Sequence, residues 1–472
     1  MGELTLPILT ISIALPLAAA LAASHARARS IAIGALSMTL ILLLEVLRQT
    51  LAFGGGALAE PWGLPLFADR LNAVPMVLFT GLALVTTIAA PRRDMNSGFL
   101  IRLLTLTAAT LSAYAAANLP VFLIGWIASV LPLVLRPRGE SGSRMPALVL
   151  GASVLVLAIA VILIGIEGVG AGLAAPHSIT GVPIAGGRWA LGLLVLAVIL
   201  RDRLFPFQRA TVALFAGSPV LLALLLVNSQ LGLFLLARVA MPLLGEAAAA
   251  MLPWLGGLAL FTSLYTAVLG IVERSPRRLL AMLIASQSAA LLAGLATASH
   301  EGIAGALAQW IVLGVSSTVL IAVYRSLEVR IDVPLDGHGF MGLGSRLPRL
   351  AVFFAISGLT LVGLPGTLGF AGEDLLLHGV LARYSWWGAA LPIAIALNAY
   401  YAFRLFARLF LGKDTITKNT VADALPRERW ALTACLAFLV WGGLVPGRVI
   451  SLQAPATSGL AHNPEPGPVR HP

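Results

Sequence analysis

The chain is poor in the residues that soluble functions depend on. It holds a single cysteine, Cys435, inside an apolar run, so it forms no internal disulfide and offers no cysteine-based metal site. Charged residues are 11% of its 472 residues, against 59% hydrophobic. A water-soluble domain needs a charged surface, and this composition excludes one. No glycine-rich nucleotide loop, Walker sequence or Cys/His cluster with metal-ligand spacing occurs, which argues against redox, ATP or metal chemistry on this chain. No cofactor is expected.

What is abundant is apolar sequence cut by short basic clusters. A span needs about 20 apolar residues, and by that rule about fourteen spans are expected. They begin near Leu4, Ile31, Asn72, Gly98, Leu119, Pro146, Arg188, Pro219, Met251, Leu279, Ile303, Leu350, Trp386 and Trp430. The formal charge of +11 is not a nucleic-acid signal, because its arginines and lysines fall in every second connection. Those clusters are Arg27/Arg29, Arg92/Arg93, Arg136/Arg138/Arg144, Arg201/Arg203/Arg209, Arg274/Arg277/Arg278, Arg325/Arg330/Arg346/Arg349 and Lys413/Lys418/Arg427/Arg429. The connections between them (50–69, Asn118, 169–187, 240–250 and 299–302) are neutral or weakly acidic. Cytoplasmic loops hold the Lys/Arg excess, so a multi-pass protein of the cell (inner) membrane with both termini on the non-cytoplasmic side is expected. The first apolar run has no basic residue before it and reads as a span rather than a signal peptide. The Pro- and Gly-rich tail from Ala454 is expected to lack fixed structure.

One stretch stands out, 361–383, reading LVGLPGTLGFAGEDLLLHGVLAR. Pro365 and Gly366 break an apolar helix that restarts within a few residues, because proline removes a donor and glycine lowers helix propensity. Glu373, Asp374 and His378 follow. A broken helix at membrane depth is tolerated only where it faces protein or a wet cavity, and charges beside it are functional candidates. Glu373 is either a helix-dipole partner worth about 0.3–1 kcal/mol or a proton-accepting group. Asp374 and His378 share a helical face and form either a proton relay or a self-satisfied boundary pair. A second discontinuity lies at Pro206, just after Arg201-Asp202-Arg203. Matching breaks in two halves point to an inverted-repeat transporter.

Four segments carry a family resemblance: GLPGTLGFAGED, FPFQRATVALFAGSP, SPRRLLAMLIASQS and NAYYAFRLFARLFLG. Their order and spacing, over roughly 60–415, resemble the antiporter-like, proton-translocating membrane subunits. Such subunits occur in respiratory complex I, multi-subunit cation/proton antiporters, membrane hydrogenases and inorganic-carbon-accumulating complexes. GLPGTLGFAGED looks most like the complex I subunit called chain M. The resemblance implies an all-α integral membrane fold of about fourteen helices, with two five-helix inverted repeats and two discontinuous helices. The implied organisation is helices 1–3 in 1–97, one repeat in 98–243, the other in 244–412, and a last helix and tail in 413–472.

It also implies a central row of ionisable residues, which is eroded here. The fifth-helix glutamate is replaced by Ile127, the seventh-helix lysine by Arg201 and the eighth-helix lysine by Gln230. Helix-eleven positions read Gln309, Leu313 and Ser317, while the twelfth-helix acid is retained as Glu373. Arginine does not give up its proton in a protein, so Arg201 is a charge partner or a snorkelling anchor rather than a carrier. Gln230 and Gln309 hold water or bond between helices but do not titrate. Asp69 is expected to cap the third helix. Two functions follow: a subunit that moves protons (or sodium ions) for a partner enzyme, or a conduction-impaired anchor of such a complex. In both cases the partners are other hydrophobic subunits and lipid, with no nucleic acid.

Overall fold

A computed structural model of the chain describes all residues except 1, 5, 26, 55–56, 62–63, 135–142, 171–177, 180–187, 332–334, 336–338, 414–421, 454–459 and 461–472. Arg136, Arg138, Lys418, most of the 169–187 connection and nearly all of the tail from Ala454 therefore lie outside the described residues.

The molecule is a bundle of helices, as an apolar chain must be where no water can satisfy its backbone. The chain enters through α1 (Ile8–Leu21), α2 (Ala28–Ala52) and α3 (Arg70–Ala89). It continues through α4 (Ser97–Ala115), α5 (Leu119–Val134) and α6 (Met145–Gly170). The first broken helix follows, as α7 (Arg188–Asp202) and α8 (Arg209–Gly217). Next come α9 (Val220–Asn228), α10 (Leu231–Leu235), a π-helical turn over Leu236–Ala240 and α11 (Met241–Val272). Then α12 (Pro276–Leu295) and α13 (His300–Arg330) lead to the second broken helix, α14 (Pro348–Leu361) and α15 (Leu368–Tyr384). The chain closes with α16 (Ala390–Phe410), α17 (Pro426–Leu444) and α18 (Pro446–Ser451).

By length and hydropathy, 9 helices among the described residues are able to cross a membrane, with three shorter apolar helices at Ile8–Leu21, Leu119–Val134 and Pro348–Leu361. The stretch 240–250, expected as a connection, is helical. Its GEAAAAM run consists largely of strong helix formers, so local propensity wins there. A sheet of two-residue strands, β1 (Gly2–Glu3), β2 (Leu58–Ala59) and β3 (Phe67–Ala68), pairs the N-terminus with the 58–68 connection.

The two kinds of connection lie at opposite ends of the bundle. At one end Arg325 holds Asp94 through two bonds of 2.6 Å and Glu328 at 2.8 Å, and Glu328 also accepts from Arg277 at 2.8 Å. Arg330 pairs with the buried Glu428 at 2.5 Å, and Arg278 with Glu273 at 2.9 Å. Arg29 donates to the carbonyls of Thr87, Ile88 and Ala90 at the end of α3, and Arg404 to those of Gly270, Ile271 and Glu273 at the end of α11. Cations at helix C-termini satisfy orphan carbonyls and oppose the dipole. At the other end sit the small sheet and the bridges Leu66–Ala116 and Asn118–Ser178, all from neutral connections.

Asp69 caps α3 as expected, accepting from Leu71 and Asn72, while the Asn72 side chain returns a bond to the Asp69 N–H. It also pairs with Arg238 at 2.5 Å, tying α3 to the end of the π turn. The second half of the second broken helix is seated by glycine: Gly302 and Gly305 of α13 lie directly against Gly379 and Leu376 of α15, with no room for a Cβ. Small residues that let backbones approach are the usual source of helix association in lipid.

Candidate functional site

At the first break, α7 stops at Asp202 and helix resumes at Arg209. Pro206 lies in this link, where Arg203 takes a left-handed backbone (φ 55°). The link is anchored by the Phe205 N–H, which donates to Thr262 Oγ1 of α11 at 3.0 Å. Arg201 is buried; its guanidinium donates to Ser129 Oγ at 2.8 Å and lies 4.8 Å from the centre of the Trp126 ring, both on α5. Trp126 is itself held by its Nε1–H donating to Ser153 of α6 at 3.2 Å. Such a cation–π contact is worth about 2 kcal/mol when desolvated. On α5, Ile127 faces outward, 37% exposed, and Trp126 and Ser129 are the residues that meet Arg201. Arg201 is therefore a buried, α5-facing group rather than a snorkelling anchor.

Asp202 points to α10, with its carboxylate against Gly232 so closely that a Cβ there would collide with it. Arg203 donates Nε–H to Thr211 Oγ1 at 3.0 Å. Arg201 Nη1, Asp202 Oδ2, Arg203 Nη1 and Gln208 Oε1 are buried without hydrogen-bond partners. Buried polar atoms left unpaired are costly and mark sites rather than scaffolding.

Between the breaks the row is uncharged. Gln230, with a left-handed backbone (φ 41°), exchanges two hydrogen bonds of 3.0 Å with Ser288 of α12. Asn228 donates to Ser317 of α13 at 3.0 Å and accepts from it at 3.2 Å. Ser263, Ser286, Asn398 and Tyr401 form a third polar cluster joining α11, α12 and α16. Gln309 differs: both its amide atoms are buried and unpartnered, and its oxygen faces Gly372, one residue from Glu373.

At the second break α14 ends at Leu361, and Pro365 sits between Gly363 and Gly366, which take φ of 81° and 85°. L side chains rarely adopt such values, so glycine is required for this turn. Helix resumes at Leu368, which puts Glu373 in the second turn of α15 and leaves no acid in the first. That position is past the reach of the terminal dipole, so the cap reading loses its basis. The Glu373 carboxylate is 9% exposed, with Oε2 against the backbone of Gly363 and Oε1 buried and unpartnered.

Asp374 and His378 are not in the buried row. Their side chains are 55% and 65% exposed, and His378 Nδ1 lies 2.8 Å from the Asp374 carbonyl oxygen. Asp374 and Glu373 do share a groove of about 270 Å³, walled by Gly363, Phe370, Leu377 and Pro392, so Asp374, without His378, flanks an outward opening from Glu373. Asp202 is the group that sequence reasoning missed. Its signal was present in the Arg-Asp-Arg triplet ahead of Pro206, where an acid between two cations implies a reason for burial.

Known proteins share this fold. The solved structures most similar in fold include respiratory complex I from Thermus thermophilus (TM-score 0.85, 22% identity, 96% of this chain and 99% of that one). The Mrp complex from Dietzia sp. matches at TM-score 0.82 and 17% identity, over 97% and 98% of the two chains. Among curated relatives, NADH-quinone oxidoreductase subunit M of Rhodobacter capsulatus is 28% identical over 255 residues, 52% of this chain and 48% of that protein. The subunit M of Mycobacterium tuberculosis (strain H37Rv) is 26% identical over 287 residues, 59% and 51% of the two. The aligned region thus spans about half the length of these relatives. The family model described as NADH:quinone oxidoreductase/Mrp antiporter, TM, matches residues 145–397, a stretch that contains both broken helices and the polar row between them. The chain belongs to that family of integral membrane proteins.

Proposed function

We propose that the chain is an antiporter-like subunit of a multi-subunit, energy-converting membrane complex, and that it conducts protons, or sodium ions, between the two ends of the bundle. The observation that carries this reading is Glu373: a buried carboxyl with a free oxygen, on the far side of a helix break, opening to a groove. An acid in that setting has no structural partner and is kept at a cost, as expected of a group that exchanges its proton. Water held at Gln309, Asn228–Ser317 and Gln230–Ser288 completes the path in this reading. Asp374 and His378 serve as its outlet, and Arg201 sets the field at the other break.

The rest of the reading follows the same family logic. Fourteen spans form two five-helix inverted repeats, 98–243 and 244–412, preceded by 1–97 and followed by 413–472. The arginine-rich end faces the cytoplasm, and both termini lie on the opposite side of the cell membrane. Partners are other hydrophobic subunits, which supply the coupled chemistry.

A second reading, a conduction-impaired anchor of the same kind of complex, is favoured by one observation. The amide–hydroxyl pairs between the breaks satisfy each other and do not titrate. Replacing Glu373 by Gln in an assembled complex in liposomes separates the two. The conducting reading expects coupled proton movement to fall at least tenfold while assembly persists; unchanged movement leaves only the anchor.

A further inference from the structure

We propose that Asp202 is a second proton-holding carboxyl, which takes over on α7 the acidic role that the fifth helix does not supply. The inference rests on the proton-conducting reading above and adds to it a specific group at the first break.

Four observations lead there. Arg201 projects into α5 and finds no acid, only the Ser129 hydroxyl at 2.8 Å and the face of Trp126. The nearest acid is instead its own neighbour in sequence, Asp202, at the last residue of α7. That carboxylate is turned away from the bundle surface toward α10, lies against Gly232, and has a buried oxygen with no partner. A structural counter-ion would be expected to spend both oxygens on the flanking guanidiniums, yet Arg201 Nη1 and Arg203 Nη1 are also unpartnered. The charged and titratable groups around it are Arg201 and Arg203 on its own segment and Tyr114 on α4. Arginines keep their protons and the Tyr114 hydroxyl donates to the Ser229 carbonyl, so Asp202 is the member of the group suited to change state.

An approach exists on the arginine-rich side. A cavity of about 690 Å³ is lined by Gln208, Arg209, Thr266, Glu273, Arg278 and Met282. Gln208 belongs to the same link that carries Arg203, whose Nε–H is bonded to Thr211 at the start of α8. In the proposed step, a proton arriving from the arginine-rich side along the link binds the Asp202 carboxylate. The carboxyl later gives that proton up to water and is left as the carboxylate that began the cycle.

The test uses the assembled complex in liposomes, with proton flux expressed per assembled complex. Asp202→Asn should lower flux at least tenfold, and Asp202→Glu should retain most of it. Asp202→Asn combined with Ser129→Glu places an acid on α5 beside Arg201 and should recover part of the flux, with an altered pH profile. That double variant also keeps a counter-charge if Asp202→Asn alone fails to assemble. Normal flux in assembled Asp202→Asn, while Glu373→Gln abolishes it, overturns this inference alone. Absence of flux in the unsubstituted complex overturns the conducting reading and this inference with it.

Discussion

At the first break Arg201, Asp202 and Arg203 crowd the last turn of α7 and the link to α8. At the second, Glu373 is the only buried acid, and no described cation contacts it. Both interruptions leave backbone groups without helical partners, and each satisfies them differently. The first adds a borrowed side chain, Thr262 for the Phe205 N–H, to backbone bonds from Leu204 N–H to the Ile199 carbonyl at 3.0 Å and from Phe207 N–H to the Leu204 carbonyl at 2.7 Å. The second uses glycine turns closed by backbone bonds, Leu364 N–H to the Leu359 carbonyl at 3.0 Å and Thr367 N–H to Leu364 at 3.2 Å. The difference teaches that a break supplies space while its charges decide what that space does. At the first break the acid lies beside two guanidiniums that favour its charged form, whereas the isolated carboxyl of the second has no cation to bias its charge.

The comparison is broken most easily by truncation. Arg201→Ala strips the Ser129 hydroxyl and the Trp126 face of a contact worth about 2 kcal/mol and leaves a void where a large buried side chain stood. We expect the subunit to be depleted from purified complexes on native gels. Glu373→Ala removes a charge that has no partner, so the same gels should show near-normal assembly. Equal loss from both would mean that the Glu373 side chain is needed for packing as much as Arg201 is.

Backbone changes at the second break come next. Gly366→Ala meets open space and carries only left-handed strain, about 1–2 kcal/mol. Gly363→Ala has the same strain and also collides with the Glu373 carboxylate. Thermal unfolding should therefore rank Gly363→Ala below Gly366→Ala, and proton flux should separate them further.

Much of this was legible in the sequence because it depends on local chemistry. Pro206, Pro365 and Gly366 act on their own backbone, hydropathy marks the helices, and the family resemblance marks Asp69 as a cap. Helix rotation was less legible. Stepping one residue turns a side chain by about 100°, so the matched position, Ile127, faces outward while Trp126 and Ser129 face the interior. The four-residue spacing of Asp374 and His378 gave a shared face but not which face, and packing of α15 on α13 through Gly379 and Leu376 turns it outward. The helical 240–250 stretch was hidden because its charge pattern, not its propensity, was used to place it.

Smaller effects sharpen the electrostatic half of the contrast. Arg201→Lys keeps a cation that is able to release its proton. Assembly should persist within about 1 kcal/mol of wild type on the scale of a single hydrogen bond, and a new pH-dependent step should appear in flux measurements. An unchanged pH profile would mean that the substituted lysine holds its proton as the arginine does.

The smallest effect belongs to Glu273, in the paired region outside both breaks. Burial disfavours its charge, but bonds from the Ser275 N–H, the Arg278 guanidinium and the Arg274 N–H outweigh that and hold its carboxyl below the usual value. A lowered folded-state value contributes stability at neutral pH that is lost as pH falls through it. Glu273→Gln should therefore lower the neutral plateau of the melting-temperature profile slightly and flatten its acid side.

The central claim is that Glu373 changes charge while the arginines of the first break do not. Infrared difference spectroscopy on the lipid-embedded complex, stepped in pH, reads this directly. The account predicts a protonated-carboxyl band that comes and goes with pH, loses a component in Glu373→Gln and keeps that component in Arg201→Lys. Identical difference spectra for wild type and Glu373→Gln would contradict it.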